Sequence, residues 1–407
     1  MKTIRFIIQG IALLVILWSH SAVYAFNGYG EIKGVYYPNQ NDLYELRSRL
    51  FIEEKVYLKD WLSLNLNGRI DGLLSNREEN KNDLFLNLDD ASLMFYFSTV
   101  EIKCGYTKVF WGKLDYLSPI DIVNPPILSE LLLTNERREA KLPVLLLMGC
   151  SYFGDTNHID FILVPFYKKG IYDEFDEQNS PFNIVRLPLP LEEELPSKSI
   201  DNIEYGLRVS SSFRTIDLSL YYYSGFQDFL SYRLEQDFPP NKIEAQTTRT
   251  HMVGADFECV SGEWGIRGEG AFFTNMGYQK KDIIDYVKGD SFTTGISFDR
   301  SYGDNYLNVS ALYKKIFVDE DIEEEKDEIT VIVNVERRFS YETKKIEFFS
   351  IYNVMSTSLY FNGMLNISII ENLWLDLSFG IFYGEGGDVL SKLIDSDLFL
   401  VKCRYNF

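Results

Sequence analysis

The side chains best suited to handle a charged solute recur with a period of two. Glu31 and Lys33 flank Ile32; Glu45, Arg47 and Arg49 follow at the same spacing, and Arg69 lies on the next polar row. At the far end, Lys402 and Arg404 alternate with Val401, Cys403 and Tyr405. Successive side chains of an extended strand point to opposite faces, so each of these sets shares one face. Lys103, Arg208, Arg267 and Lys314 fall on polar rows of later segments, mixed with Glu204, Asp217, Glu269 and Asp299. Cations lining a narrow aqueous passage would favour anionic or polyhydroxylated solutes. The same cations interleaved with carboxylates would instead brace a wall through salt bridges, since buried charges need partners.

Covalent chemistry has little to draw on. Past residue 25 the chain keeps only His158 and His251, and neither has a second histidine or a cysteine nearby in sequence. A nucleophilic triad or a metal centre needs several such groups converging. No catalytic residue, metal site or cofactor is therefore expected, and the chain is not read as an enzyme.

The elements that carry these rows are strands. About eighteen are expected, with sixteen as the alternative count, and several show clean alternation. Leu62, Leu64 and Leu66 alternate with Ser63, Asn65 and Asn67; Leu218, Leu220 and Tyr222 alternate with Asp217 and Ser219. The connections sort by parity. Every second one is short, as at 99, 154–156, 262, 301–303 and 371, while the intervening ones include 72–84, 111–143, 168–200, 225–249 and 384–395. Loops this long are uncommon inside a compact soluble domain. An all-β, antiparallel transmembrane barrel has this asymmetry: short periplasmic turns and long external loops.

The termini fit that reading. Lys2 and Arg5 precede an apolar stretch over 6–18, and Val23 and Ala25 sit before a cleavage point, so residues 1–25 read as a secretory signal peptide. Residues 26–407 would then be the barrel, inserted in the bacterial outer membrane. The chain ends on Phe399, Val401, Cys403, Tyr405 and Phe407, an apolar row suited to lipid and, through Phe407, to the machinery that assembles such barrels. Aromatic residues make up 15% and charged residues 25%, which suits aromatic girdles with polar loops. The formal charge of −20 argues against a nucleic-acid partner. Acid gathers in 173–177, 192–194 and 319–328, expected on external loops. The last run could engage divalent cations among lipopolysaccharide phosphates, or be a plain solvated loop. Cys104, Cys150, Cys259 and Cys403 alternate with apolar neighbours and are expected as free thiols facing lipid, Cys104 with Cys150 being the pair left open.

The segment 86–153 carries the most specific signal. Trp111-Gly112 ends a strand; Asp121, then Asn124-Pro125, then Lys141-Leu142-Pro143 follow. This pattern resembles a poorly characterised family of porin-like outer-membrane proteins, distantly similar to alginate-export-type barrels. It covers about 70 of the 407 residues. Where that pattern commonly carries Arg-Gln after the preceding glycine, this chain has Tyr106 and Thr107. The residues argue independently for a constriction. Pro119, Pro125 and Pro126 stiffen the connection, Gly112 permits a sharp turn, and 127–133 is apolar enough to form a short buried helix. Trp111, Gly112, Asp115, Asp121, Asn124 and Pro125 are thus expected on a loop folded into the barrel mouth; the rival is a surface loop packed on its neighbours. The resulting expectation is a channel for passive diffusion of small solutes, held in outer-membrane lipid and lipopolysaccharide. The alternative is a plugged structural or adhesive barrel whose acidic loops bind a surface partner.

Overall fold

The computed structural model describes residues 27–76, 82–134, 138–175, 178–185, 187–235, 240–281, 283–339 and 341–407; the expected signal peptide lies outside them. The strands are β1 (Asn27–Tyr37), β2 (Leu43–Lys59), β3 (Leu62–Ser75), β4 (Asn82–Tyr96), β5 (Val100–Thr107), β6 (Val144–Phe153), β7 (Asn157–Val164), β8 (Leu191–Glu194), β9 (Glu204–Phe213), β10 (Ile216–Phe226) and β11 (Ser231–Leu234). They continue with β12 (Ile243–Gln246), β13 (Arg249–Ser261), β14 (Trp264–Gln279), β15 (Tyr286–Tyr302), β16 (Asn305–Phe317), β17 (Asp327–Phe339), β18 (Lys344–Asn353), β19 (Ser358–Ile370), β20 (Leu373–Tyr383) and β21 (Leu398–Asn406). One helix, α1 (Leu128–Thr134), lies between β5 and β6.

Eighteen of these strands form one antiparallel sheet that closes on itself. The seam joins β21 to β1, from Tyr36 opposite Phe399 to Tyr29 opposite Asn406. Phe407 completes it by exchanging backbone hydrogen bonds with Gly28 at 3.0 and 3.1 Å. A side chain at Gly28 would run into the Phe51 carbonyl and the Phe407 ring, so glycine permits the close approach that the seam needs. β8, β11 and β12 form a separate small sheet within the long connections, with β8 parallel to β12. Its short, partly acidic strands carry no alternation that would mark them in sequence.

The burial pattern is inside out. Outward rows are apolar and exposed: Leu145 and Leu147 on β6, Leu207 and Val209 on β9, Leu218 and Leu220 on β10, Phe399 and Val401 on β21. Inward rows bury charge: Glu31, Lys33, Glu45, Arg47, Arg49, Arg69 and Asp71 are each at most 6% exposed. Water cannot stabilise such an exterior, whereas hydrocarbon can. At the end bearing the short connections, tight turns are made by residues with positive φ, including Arg214, Gly262, Gly303 and Asn372.

Two expectations need correction. Asp173 and Glu174 do not lie on an external loop surface; both fold inward and are buried against the wall. Cys150 does not face lipid. It sits on the inward row of β6 with Val144 and Leu146, near Asp160, while Leu145 and Leu147 take the outward row. Both rows of β6 are apolar because the lumen beside it is filled by an apolar loop, so hydrophobic parity could not choose between them. Cys104 is exposed on the outward row, and all four cysteines are free. A lipid-soluble maleimide is expected to label Cys104 in the folded protein and to spare Cys150 until denaturation; equal labelling by mass spectrometry would reverse this facing.

Candidate functional site: the lumen and its infolded loops

β5 stops at Thr107, earlier than its alternation suggested, and the chain turns into the barrel. Asn124 makes that turn. Its Oδ1 accepts the Val109 N–H at 2.7 Å, and its Nδ2 donates to the carbonyls of Thr107 and Leu142 at 3.1 and 2.8 Å. One fully buried amide thereby holds both the departing and the returning chain. Asp121 accepts the Trp111 N–H at 3.2 Å, and the Lys141 ammonium donates to the Asp121 carbonyl at 2.6 Å. The Pro125 carbonyl accepts the Leu142 N–H, and the Pro126 carbonyl accepts the Ile171 N–H, so a second connection is laced to the first.

From this base the loop crosses the lumen. Trp111, 1% exposed, packs on Tyr221 and Tyr223 with ring centroids at 5.3 and 6.1 Å. Gly206 on β9 leaves the space its indole fills. Gly112 turns at φ +79, and a Cβ there would strike the Glu269 carboxylate. That carboxylate accepts the N–H groups of Lys113 and Leu114 and the Ser118 hydroxyl, pinning the turn to β14. Asp115 pairs with Arg267 at 2.7 Å. Tyr116 packs on Phe349 of β18, and the Tyr360 hydroxyl of β19 donates to the Leu132 carbonyl at the end of α1.

The far end of the crossing is electrostatic. Glu130 on α1 is fully buried and lies 3.6 Å from Lys33 and 3.8 Å from Arg47. Glu139 meets Arg404 at 3.0 Å and Arg49 at 3.7 Å. From the second infolded connection, Asp173 meets Arg47 at 2.8 Å, Glu174 meets Arg49 at 3.0 Å and also Arg69, and the Phe175 ring lies under the Arg47 guanidinium. Burial pushes the Glu130 carboxyl up, but Lys33, Arg49 and Arg47 outweigh it and hold the group below its ordinary range. For Glu174 burial prevails over Arg69 and Arg49, and its pKa is raised.

The structure places all nine cations expected to line the lumen on the inner side, each beside an acid. Besides those above, Lys103 faces Asp90 at 3.3 Å, Arg208 faces Asp160 at 3.7 Å, Arg267 also meets Glu258 and Asp299, and Lys402 meets Asp376 at 2.8 Å. The loop partners Glu130, Glu139, Asp173 and Glu174 were not anticipated from the sequence. Those acids lie off the strands, where period two assigns no face. His158 lies 3.7 Å from Asp160, and His251 meets the Tyr222 hydroxyl at 3.0 Å on the outer face, with β9 and β10 between their strands. Among the described residues, no three acids, histidines or cysteines converge as metal ligands. The acidic run holds Glu323, Glu324 and Asp327 in pairs with Lys392, Lys314 and Lys315.

No family model and no curated protein matches the chain. Solved structures do. A BenF-like porin from Pseudomonas fluorescens Pf-5 aligns at 11% identity and TM-score 0.56, covering 94% of this chain and 97% of that one. Acinetobacter baumannii OccAB1 aligns at 10% identity and TM-score 0.55, covering 95% and 96%. Pseudomonas aeruginosa OccK8 (OprE) aligns at 9% and 0.53, covering 94% and 98%. The fold is a porin-type barrel. An eighteen-stranded closed sheet with an apolar exterior fits an integral outer-membrane protein. The likeness to alginate-export-type barrels finds no support in a family model.

Asn124 gives the sharpest test of the infolded geometry. Asn124→Ala leaves a buried N–H and two carbonyls without partners, at a cost of about 1–3 kcal/mol for each such group. The expected outcome is a folded, heat-modifiable barrel whose 108–143 segment becomes protease-sensitive. Asn124→Asp keeps the acceptor for Val109 and is expected to be milder.

Proposed function

We propose that this chain is an outer-membrane porin through which small solutes diffuse passively, with the segment 108–143 setting the width of the path. The observation that carries the reading is a closed barrel whose lumen is crossed by a loop fixed to strands on several sides. Such a loop narrows a passage without needing an energy source, and no step of covalent chemistry is assigned to the chain. Assembly through the terminal strand at Phe407, and contact of the acidic external loops with lipopolysaccharide, belong to the same proposal.

The pairing of the lumenal cations favours wall bracing over an exposed anion track. A cation held by one or more carboxylates offers a solute little net charge. Small polar or polyhydroxylated solutes suit this lumen better than strong anions. A second reading, a plugged structural or adhesive barrel, draws on the same observation of two connections folded inward.

Planar-bilayer recording separates the two. Stepwise conductance is expected from the purified protein, and deletion of about 20 residues within 113–138 is expected to raise it; silence of both forms would favour the plug, and unchanged conductance would place the loop away from the narrow part of the path. Replacing Arg47, Arg49 and Arg69 together with Ser strands the acids they hold. Loss of a partner from a buried pair costs about 3–5 kcal/mol. A large fall in thermal stability is therefore expected, and a shift of reversal potential with unchanged stability would restore the anion track.

A further inference from the structure

Among the described residues the wall lacks strand pairing beside part of β4. β4 runs from Asn82 to Tyr96 and pairs with β3 along almost its whole length, but its pairing with β5 spans only 91–96. Among the described residues, 84–89 therefore have no partner strand on the β5 side, an edge of about 20 Å at ~3.3 Å per residue. Gly105, at φ +145, lets β5 twist tightly against Ala91 just before it leaves the wall. The Thr107 hydroxyl on Asp90 and Lys108 beside Asp89 at 3.3 Å hold the lower corner. Among the described residues no backbone hydrogen bond joins the stretch 84–89 to the segments on its open side. Beyond the gap stand Leu142, Pro143, Lys168 and Ile171. A cavity of about 660 Å³ elsewhere lies on the outer face over Ala255 and Gly268, while the one at the gap, about 430 Å³, is lined by residues of both faces. It touches Arg69, Asn87 and Glu174 within and Leu86 and Leu88 without.

Its two sides differ in chemistry. Leu84 and Leu86 are 77% and 83% exposed on the outer row, as residues bathed in lipid would be. An unpaired strand edge beside hydrocarbon is costly unless a polar group covers it. Lys168 supplies the attraction for such a group. Its ammonium donates to the Tyr106 hydroxyl at 2.6 Å and the Pro143 carbonyl at 3.1 Å, and no carboxylate lies within ion-pair distance of it among the described residues. The nine lumenal cations all have acids; this one does not. Burial pushes it down to about 8, as expected of a desolvated lysine with no anion in contact.

We propose that the gap between β4 and β6 is a lateral port that receives an amphiphilic anion, its carboxylate or phosphate headgroup on Lys168 and Tyr106 and its acyl tail leaving over Leu86 and Leu88 into the membrane. The port needs the barrel to sit in a bilayer but does not need the axial path to conduct.

The test uses the full-length folded protein in detergent and in vesicles, with a dansyl-labelled medium-chain fatty acid as probe. Saturable binding is expected. Lys168→Ala should weaken it about tenfold, the loss of one charge-assisted contact, while Lys168→Arg retains it and Leu86→Ser with Leu88→Ser weakens it independently. Each variant is first shown to be folded by heat-modifiable migration, so a loss of binding is not a loss of fold. Acetate and inorganic phosphate test the free-anion source, and vesicles of anionic lipid test the headgroup source. Displacement by anionic lipid but not by acetate or phosphate supports the port; equal displacement by acetate overturns it, because the tail is then not read. Binding unchanged in Lys168→Ala overturns it as well, as does the finding that the free edge is covered by a second copy, seen as an oligomer whose cross-links map to 82–90. Conductance recorded on the same preparations keeps the two readings apart: a silent protein that still binds the probe sinks the porin reading and leaves the port.

Discussion

The structure depends on the requirement that backbone amides at membrane depth find partners within the protein, a requirement the edge of β4 over 84–89 leaves unmet among the described residues. Lipid offers none, so the sheet must close. Closure brings Phe407 to Gly28 and β21 to β1, joining residues from opposite ends of the chain. Once the sheet is closed, the pleat decides the rest. Alternate side chains face lipid and lumen, the exterior becomes apolar, and the interior collects the charges.

Those charges then need neutralising, because a buried cation without a counterion is costly. The wall meets part of the need within the strands, as with Glu31 and Arg404 or Asp71 and Arg49. The infolded connections meet the remainder with Glu130, Glu139, Asp173 and Glu174. Apolar contacts of the same loop, from Trp111 to Leu132, pack it against β6, β7, β10 and β16 to β20. One connection is thus apolar where it meets β9 and β10 and acidic where it meets β1 to β3. Its shape follows from the wall it has to match.

The fold was legible because period two and loop-length parity are local signals repeated many times. The cations on β1 to β3 were legible for the same reason. What escaped were features set by contact between distant segments. The inward turn of Asp173 and Glu174 depends on Arg47, Arg49 and Arg69, and nothing in the acidic run itself distinguishes it from the solvated runs at 192–194 and 319–328. Cys150 was misplaced because the loop packed on β6 makes its inner row as apolar as its outer one. The role of Asn124 was half visible. The Asn-Pro pair was read as part of a stiffened loop, but the three backbone groups Asn124 holds come from segments before and after it. The early end of β5 was hidden because Lys108, Val109 and Phe110 continue a strand-like alternation after the hydrogen-bonding has stopped.

The anchoring of Glu139 imposes an order of events on biogenesis. Its partner Arg404 lies on the final strand, separated by Glu31 of β1 from Arg49 on the second. The loop is synthesised early, yet this anchor is not complete until the last strand has joined the first. Closing a contact over so many residues is slow compared with making hairpins between neighbours. The contact of Glu139 with Arg404 therefore forms only with sheet closure, whereas the loop's anchors on β14, β19 and β1 do not involve the last strand. The loop thus takes one of its anchors from the strand that also seals the seam.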